Sequence, residues 1–420
     1  MNIEVPSLGG PAWMQDVRAA GAERFGTLGL PTTRREDWRY TSLRRFRNHE
    51  FKSLDPGSVT ASMVAPYQSE GAAACIVLVD GQWDRSLSTL PEGDALSIES
   101  FSDGENPGIG SVAPDDAPFV ALNAASFLDG VHIQVKRGAL IDGVVDVVVA
   151  TTERAEANAV YPRVFVTAGA GSAVTIGERH IGFGAQPTLV SSVTEIVAGP
   201  DSNVRHVMVQ EQGSGTFHFA TIAASPQRGA QVEQHLVSLG ALIARTAVHM
   251  TLGAEGSGCK LVGVFAATGA QSLDHYTVMD HVVGHCTSSE VYKGLVGSDD
   301  AVGSFLGRVF MRENAVGSAT DQLCRALLLT KGATANVKPS LEIDNDDVTA
   351  SHGAAIGRLD PDHLFYLRAR GLTDELARAL LIEAFVADVL NDLPVAGLGP
   401  KLAEMVAHSI LPNAELEHLR

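Results

Sequence analysis

Between about residue 117 and residue 343 the apolar positions fall in short clusters with no helical spacing. "GVHIQVKRG", "GVVDVVVATT", "PRVFVTAG", "SAVTIGERHIG", "VRHVMVQEQ", "AQVEQHLVSLG", "CKLVGVFAATG" and "RALLLTKG" are each rich in β-branched residues and bounded by turn residues, which is how strands read. Several of these runs begin with a glycine- or serine-bearing turn, at "GAGSAVTI", "GPDSNVRHVMV", "QRGAQVEQHLV" and "EGSGCKLVGV". Aligning those turns brings Val174, Val204, Val232 and Cys259 into one column, at intervals of 30, 28 and 27 residues by subtraction. A repeat of ~20–50 residues built from strands and turns is the mark of a solenoid or propeller. Two or three short strands per unit fit a β-helix better than a four-stranded propeller blade. One such unit cannot bury its own apolar side, whereas stacked units bury a continuous one.

The flanks read differently. In "PAWMQDVRAAGAERFGTLGL", Trp13, Val17 and Ala20 recur at helical spacing until Gly29 and Pro31 break the pattern. "PTTRREDWRYTSLRRF" reads as a short helix or ordered loop that docks Trp38, Tyr40 and Phe46. "ACIVLVD" reads as a buried strand. After residue 360, Asp360 is placed to cap a helix whose first position is Pro361 and whose stop is Gly371. Thr373 caps a second helix, Asp374 and Glu375 suit its dipole, and Leu376, Leu380, Ala384 and Phe385 line one face. A third helix is expected over "PKLAEMVAHSI". These helices are expected to blunt the terminal strand edge of the solenoid. The predicted organisation is an N-terminal helical and mixed region over 1–115, a parallel β-helix core over 116–358 and a C-terminal helical region over 359–420. The fold class is mainly β.

Composition narrows the function. The 420 residues include 42 glycines and are 45% hydrophobic but only 6% aromatic, which suits short strands and tight turns. A net charge of -18 disfavours nucleic acid and anionic lipid as partners. No apolar run approaches the ~20 residues of a membrane helix. "MNIEVPSLGG" has no basic and apolar leader pattern, so a cytoplasmic setting is expected. The four cysteines, Cys75, Cys259, Cys286 and Cys324, include no CxxC pair. A self-contained zinc or iron–sulfur site is therefore not expected, and each thiol reads as a small buried apolar group. His275, His281 and His285 precede Cys286, but spacings of six and four residues suit neither successive same-face strand positions nor a helix. They read as turn histidines that hydrogen-bond one another and the backbone. "EIDNDD", Glu342 to Asp347, lacks the glycine-punctuated spacing of a calcium loop and reads as a solvated acidic turn. No nucleophile elbow, phosphate-binding loop or dinucleotide fingerprint is present. Leu364, Phe365, Leu367, Leu376, Leu380, Leu381 and Phe385 are too many for one buried face, so part of that surface is expected to meet a partner or the end of the β-helix.

Three ordered stretches carry a family resemblance. "DDVTASHGAAIGRLDPDHLFYLRARGL", "DHYTVMDHVVGHCTSSEVYKGLVG" and "RREDWRYTSL" resemble segments of the SufB/SufD family of iron–sulfur cluster assembly scaffolds. The similarity runs from about residue 30 to 390. Ser351–His352–Gly353 is the SufD form of a motif that reads Glu-His-Glu in SufB proteins. The resemblance implies a right-handed parallel β-helix, pairing with SufB through the end of that helix, and docking of the SufC ABC-type ATPase on the C-terminal helices. It implies no catalysis by the chain itself, and a nascent cluster or iron at the SufB interface beside His352. No tightly bound cofactor is expected on the chain alone; flavin is a further candidate ligand of the assembled complex. Many relatives carry cysteine two residues before the histidine, where Ala350 stands here. Imidazole is a weaker cluster ligand than thiolate, so this chain offers His352, with the thiolate expected from the partner. In isolation, two copies are expected to pair through the same end. The competing expectation is a β-helix that binds or cleaves acidic polysaccharide; the missing leader pattern and the negative charge weigh against it.

Overall fold

The computed structural model describes residues 3–6 and 8–411. Two long, mostly parallel sheets face one another. The first runs from Ala74–Val79 through Leu140–Thr151, Ala173–Gly182, Asn203–Gln210, Gln231–Ser238, Gly258–Ala267, Thr287–Val296 and Ser318–Leu328 to Val348–Gly357. The second runs from Val131–Val135 through Arg163–Ala168, Thr188–Ala198, Thr216–Pro226, Ile243–Leu252, Ser272–His281 and Val302–Met311 to Thr334–Ile343. The chain alternates between the sheets, so each pair of strands is one turn of a parallel β-solenoid of about 8 turns.

The repeat seen in the sequence is the register of the ladder. Val174 pairs with Val204, Val204 with Val232 and Val232 with Cys259. The same column continues through Ser288 and Thr320 to Ala350. Three residues before each of six of these positions stands a residue in the left-handed region: Gly171, Asp201, Gly229, Gly256, His285 and Gly317. Five of these six N–H groups bond across to the next turn, as from Gly229 to the Glu255 carbonyl and from Gly317 to the Asp347 carbonyl. A positive φ is nearly free for glycine and tolerable for aspartate. This stacked corner is what the recurring Gly and Ser turns encode, and it turns the chain into each strand of the first sheet.

Alternation then divides each strand. One set of side chains fills the lumen, with Val174, Ile176, Val204, Met208, Val232 and Leu236 from the first sheet against Ile196, Ile222, Val248 and Met250 from the second. The other set faces outward and is covered on both sides. The N-terminal segment lays Trp38, Phe46, Phe51 and Phe119 against Phe217 and Phe219 on the outside of the second sheet. Trp38 and Phe46 sit in two short 3₁₀ turns and are buried as expected; Tyr40 is half-buried. The helix Ala12–Leu28 buries Met14, Arg18 and Gly21, one residue on from the predicted stripe, while Trp13 and Val17 are half-buried. Gly21 is where this helix meets the next: a Cβ there would lie 2.6 Å from the Ala125 nitrogen. That second helix, Pro118–Ser126, was not legible in the pattern. It is apolar nearly all round and buried on nearly all sides, so it shows no one-sided stripe.

The three C-terminal helices form as predicted: Pro361–Ala369, Asp374–Leu390 and Leu398–Ile410. Asp360 accepts from the Asp362 N–H at 2.8 Å, Thr373 accepts from Leu376 at 3.2 Å, and Gly371 has φ +95°. Their placement corrects one expectation. They do not cover the terminal strand edge but pack on the outer side of the first sheet. Ile382, Val386, Leu390, Leu402 and Val406 close over Val207, Val209, Val237, Val262, Val264 and Leu295. The buried stripe of Asp374–Leu390 is Ala379, Ile382, Val386 and Val389; Leu376 and Leu380 are only half-buried, and Ala384 is exposed. The solenoid therefore has two unlike ends. At its start, short antiparallel strands, Gln82–Trp83 and Leu96–Ser100, close the sheets. At its finish, Val348–Gly357 and Thr334–Ile343 stand as unpaired edges.

Candidate functional site

His352 lies on the last strand of the first sheet, in register with Gln322. Gln322 is buried and points into the lumen, so His352 occupies the lumen-facing column on the final rung. Nothing in the described chain stacks beyond it, and its side chain is exposed. Ala350, two residues earlier, takes the next lumen-facing position, over Thr320. A cysteine there would stand on the same open face as His352. On the facing sheet the last rung carries Val337 and Leu341, which pack against the core while remaining partly open. The open end is thus an apolar floor with one imidazole on it, rimmed by the exposed acidic turn at Asp344, Asp346 and Asp347. Within that turn Asn345 holds the backbone, accepting from the Asp347 N–H and donating to the Glu313 carbonyl.

Beneath His352 the lumen is unusually polar. The register column from Glu290 through Gln322 to His352 puts three hydrogen-bonding side chains on successive rungs. The Gln322 amide donates to Glu290 Oε2 at 2.6 Å, while Gln322 Oε1 is buried and has no partner. Burial pushes the Glu290 carboxyl up to about 7, against the pull of the Gln322 and Thr277 side chains. A second buried network lies further back. Glu178 takes hydrogen bonds from His180 at 2.5 Å, Thr194 at 2.8 Å and His206 at 3.0 Å. Burial opposes its charge, but the two histidines hold it well below the usual carboxylate range. Sequence reasoning missed both networks. The signal lay in the repeat: 290, 322 and 352 follow one another at 32 and 30 residues by subtraction, the spacing of the ladder itself.

A pH prediction follows from Glu290. Its carboxyl ionises at about 7 in the fold and near ~4.3 unfolded. Between those values the native state binds the extra proton, so stability falls as pH rises from ~4.3 to about 7 and the loss is complete above. Glu290→Gln is expected to flatten that slope, and to unfold at higher urea than wild type at pH 8. Urea midpoints at pH 5 and pH 8 measure it; parallel behaviour of the two proteins would show that Glu290 ionises as an ordinary carboxylate.

The other sequence candidates are dispersed. His275 is buried with Nε2 on the Ser238 hydroxyl at 2.8 Å, and His281 is buried with Nε2 on Ser288 at 2.8 Å. Burial lowers them to about 3 and about 4 respectively. They bond serines of the lumen, not one another as expected. His285 is the left-handed corner residue and is exposed. Cys75, Cys259, Cys286 and Cys324 are free and buried. Burial pushes the Cys75 thiol up to about 11 and Cys259 and Cys324 higher still, which leaves them poor thiolates. No group of three or more histidine, cysteine or acidic side chains is arranged to hold a metal ion among the described residues.

The C-terminal helices offer a second surface. Pro361–Ala369 buries none of its residues. Phe365 is 74% exposed and Tyr366 56% exposed, and Tyr366 was not singled out by the apolar count. Leu364, Leu367, Leu376, Leu380, Leu381 and Phe385 are half-buried. Phe385 carries the Lys293 ammonium over its ring, and Lys293 also holds the helix through the Phe385 carbonyl and Asp388.

Residues 149–385 match the family model described as SUF system FeS cluster assembly, SufBD core domain. The chain belongs to the SufBD family. Its curated relatives match nearly end to end. An iron–sulfur cluster assembly SufBD family protein of Synechocystis is 28% identical, over 93% of this chain and 90% of its own length. The SufD proteins of Escherichia coli and Bacillus subtilis are 27% and 25% identical, over 88% and 95% of this chain and 87% and 94% of theirs. The SufBD core match begins inside the strand Leu140–Thr151 and ends within the helix Asp374–Leu390. It therefore takes in the open end with His352 and the exposed helix that follows. No helix among the described residues is long and apolar enough to cross a membrane.

Proposed function

We propose that this SufBD family member is a non-catalytic, SufD-like scaffold subunit of a SufB–SufC–SufD complex that assembles iron–sulfur clusters. The open end of the solenoid pairs with SufB and brings His352 to the interface as a ligand for the nascent cluster or its iron. The surface around Leu364, Phe365, Leu367, Leu376, Leu380, Leu381 and Phe385 docks the SufC ATPase. The observation that carries this reading is the asymmetry of the solenoid. One end is closed by antiparallel strands, whereas the other exposes two parallel edges and a half-open apolar floor on which His352 stands. Long unpaired edges invite pairing; a partner with the same architecture continues both sheets at once.

The chemistry fits a shared site. All four cysteines are buried, and Cys324, one rung beneath the terminal strand, is held as a thiol by that burial, so the chain exposes no thiolate at its open end. Imidazole from one subunit and thiolate from the other make a site that exists only in the pair. The cluster is cargo, and mixed, split ligation favours release over retention.

The test is co-expression with the cognate SufB and SufC, comparing wild type with His352→Ala under anaerobic conditions. The substituted complex is expected to assemble with its subunit ratio intact and to lose most of its iron and sulfide. Full cluster content in that variant would place the chemistry entirely in the partner. A second variant separates docking from pairing. Phe365→Asp puts a charge on the exposed helix, and is expected to weaken SufC binding at least tenfold in a pull-down while leaving SufB bound. Retention of SufC at wild-type affinity would move the docking surface elsewhere.

A further inference from the structure

The proposed role of His352 leaves open how a single exposed imidazole on a strand edge is aimed. We propose that Gln322 is its positioning residue: the unpartnered Gln322 amide oxygen, one rung below in the lumen, accepts the ring N–H and turns the other nitrogen outward. This inference rests on the proposed function for its consequence, but not for its geometry.

Three observations carry it. First, His352 and Gln322 are directly paired in a parallel register, so their side chains rise from the same face on adjacent strands, ~4.8 Å apart. Second, the amide cannot turn freely. Its nitrogen is spent on Glu290 Oε2 at 2.6 Å. It also occupies the space in front of Gly307, where a Cβ would lie 2.1 Å from Gln322 Nε2. Third, with the nitrogen fixed on the rung behind, the oxygen is left buried without a donor. A buried acceptor without a partner is costly. His352 is the next side chain in that column and is exposed, and the register alone places it beside the oxygen. A histidine that ligates a metal through one nitrogen commonly donates its other N–H to an oxygen, which fixes both tautomer and orientation. Here that oxygen comes from inside the solenoid, held by the Glu290 carboxyl, so the exposed end is preorganised by the buried ladder behind it.

The experiment is nitrogen NMR of the folded full-length chain labelled with ¹⁵N-histidine, at pH 8. The His352 ring signals are assigned by their loss in His352→Ala. Wild type is expected to show one dominant tautomer, with its N–H slowed toward solvent exchange. Gln322→Met keeps length and volume but removes the acceptor, and is expected to give the averaged shifts of a free imidazole. Glu290→Gln keeps an acceptor for the amide N–H and is expected to leave the His352 signals as in wild type. Averaged shifts in the wild-type chain overturn the inference without any variant, and so do unchanged signals in a folded Gln322→Met chain. In the co-expressed complex, Gln322→Met is expected to load a cluster that is lost ~10–100-fold faster to a chelator, the usual scale for removing such a partner. Wild-type cluster content in His352→Ala would defeat the proposed function while leaving the ring measurement standing. A chelator rate unchanged by Gln322→Met, with cluster lost in His352→Ala, would defeat this inference alone.

Discussion

Glu195→Ala is expected to destabilise the protein by roughly 3–5 kcal/mol, the scale for breaking a buried ion pair from one side. Glu195 is fully buried on the strand Thr188–Ala198, and its Oε1 takes the Arg163 guanidinium at 2.5 Å. The same carboxylate accepts the backbone N–H groups of Gly110 at 3.0 Å and of Val112 and Ala113 at 3.1 Å. Arg163 is equally buried and donates onward to Asn123 Oδ1 at 2.9 Å. Asn123 in turn holds the Pro162 and Ser191 carbonyls. One carboxylate thus ties the loop at 110–113 and the helix Pro118–Ser126 to the outside of the second sheet. Its removal strands a buried cation and three backbone donors at once. A urea titration with an unchanged slope and a midpoint moved by that amount is the expected result. A loss below about 1 kcal/mol would mean that water replaces the carboxylate, and that the pair is a surface contact in energetic terms. The exposed pair Arg24–Asp115 serves as the control, where Asp115→Ala is expected to leave the midpoint unmoved.

The sequence made the ladder legible because a solenoid repeats its demands. Turn after turn uses a left-handed corner and, three residues later, an inward-facing residue at the same height, the last turn before Ala350 excepted. Val174, Val204, Val232 and Cys259 satisfied that demand with recognisable residues, and their alignment proved to be the hydrogen-bonded register. Beyond Cys259 the column passes to Ser288, Thr320 and Ala350. Hydropathy no longer marks it there, and the pattern was lost where the site begins. Helix capping was local chemistry and was readable at Asp360, Thr373 and Gly371. Where those helices dock was not readable. Leu376 and Leu380 look like a core face, but the β-branched Ile382, Val386 and Val389 meet the sheet. A close helix–sheet contact selects for fit, not for the largest side chains. The candidate site was legible only as one residue. His352 could be named from its motif, but the ring's place above Gln322 and Glu290 required the register. The histidines near Cys286 show the reverse: close in sequence, His275 and His281 face the lumen six residues apart on one strand and bond different serines, and His285 lies beyond the strand at the corner.

The second large effect concerns the open end itself. Val337→Asp is expected to weaken pairing with SufB more than 100-fold while leaving the free chain folded. Val337 stands on the last strand of the second sheet, in register with the buried Phe305. It packs against the core with one side still open. In the free chain an aspartate there keeps its carboxylate in water, so the fold loses only part of one apolar contact. In the pair proposed above, the same carboxylate would be buried on this chain's apolar floor, beside Leu341. An unpaired buried charge costs several kcal/mol, and every ~1.4 kcal/mol is tenfold in affinity. Isothermal titration or analytical gel filtration with SufB measures the loss, with circular dichroism reporting the fold. Val337→Ala separates charge from volume: it removes contact area without adding a desolvation cost, and is expected to weaken pairing less than tenfold. Phe365→Asp provides the orthogonal control, since its charge lies on the helix Pro361–Ala369 and not on either terminal strand. Were Val337→Asp to pair as wild type does, the terminal edges would not be the interface, and His352 would lose the shared setting in which a single imidazole can act.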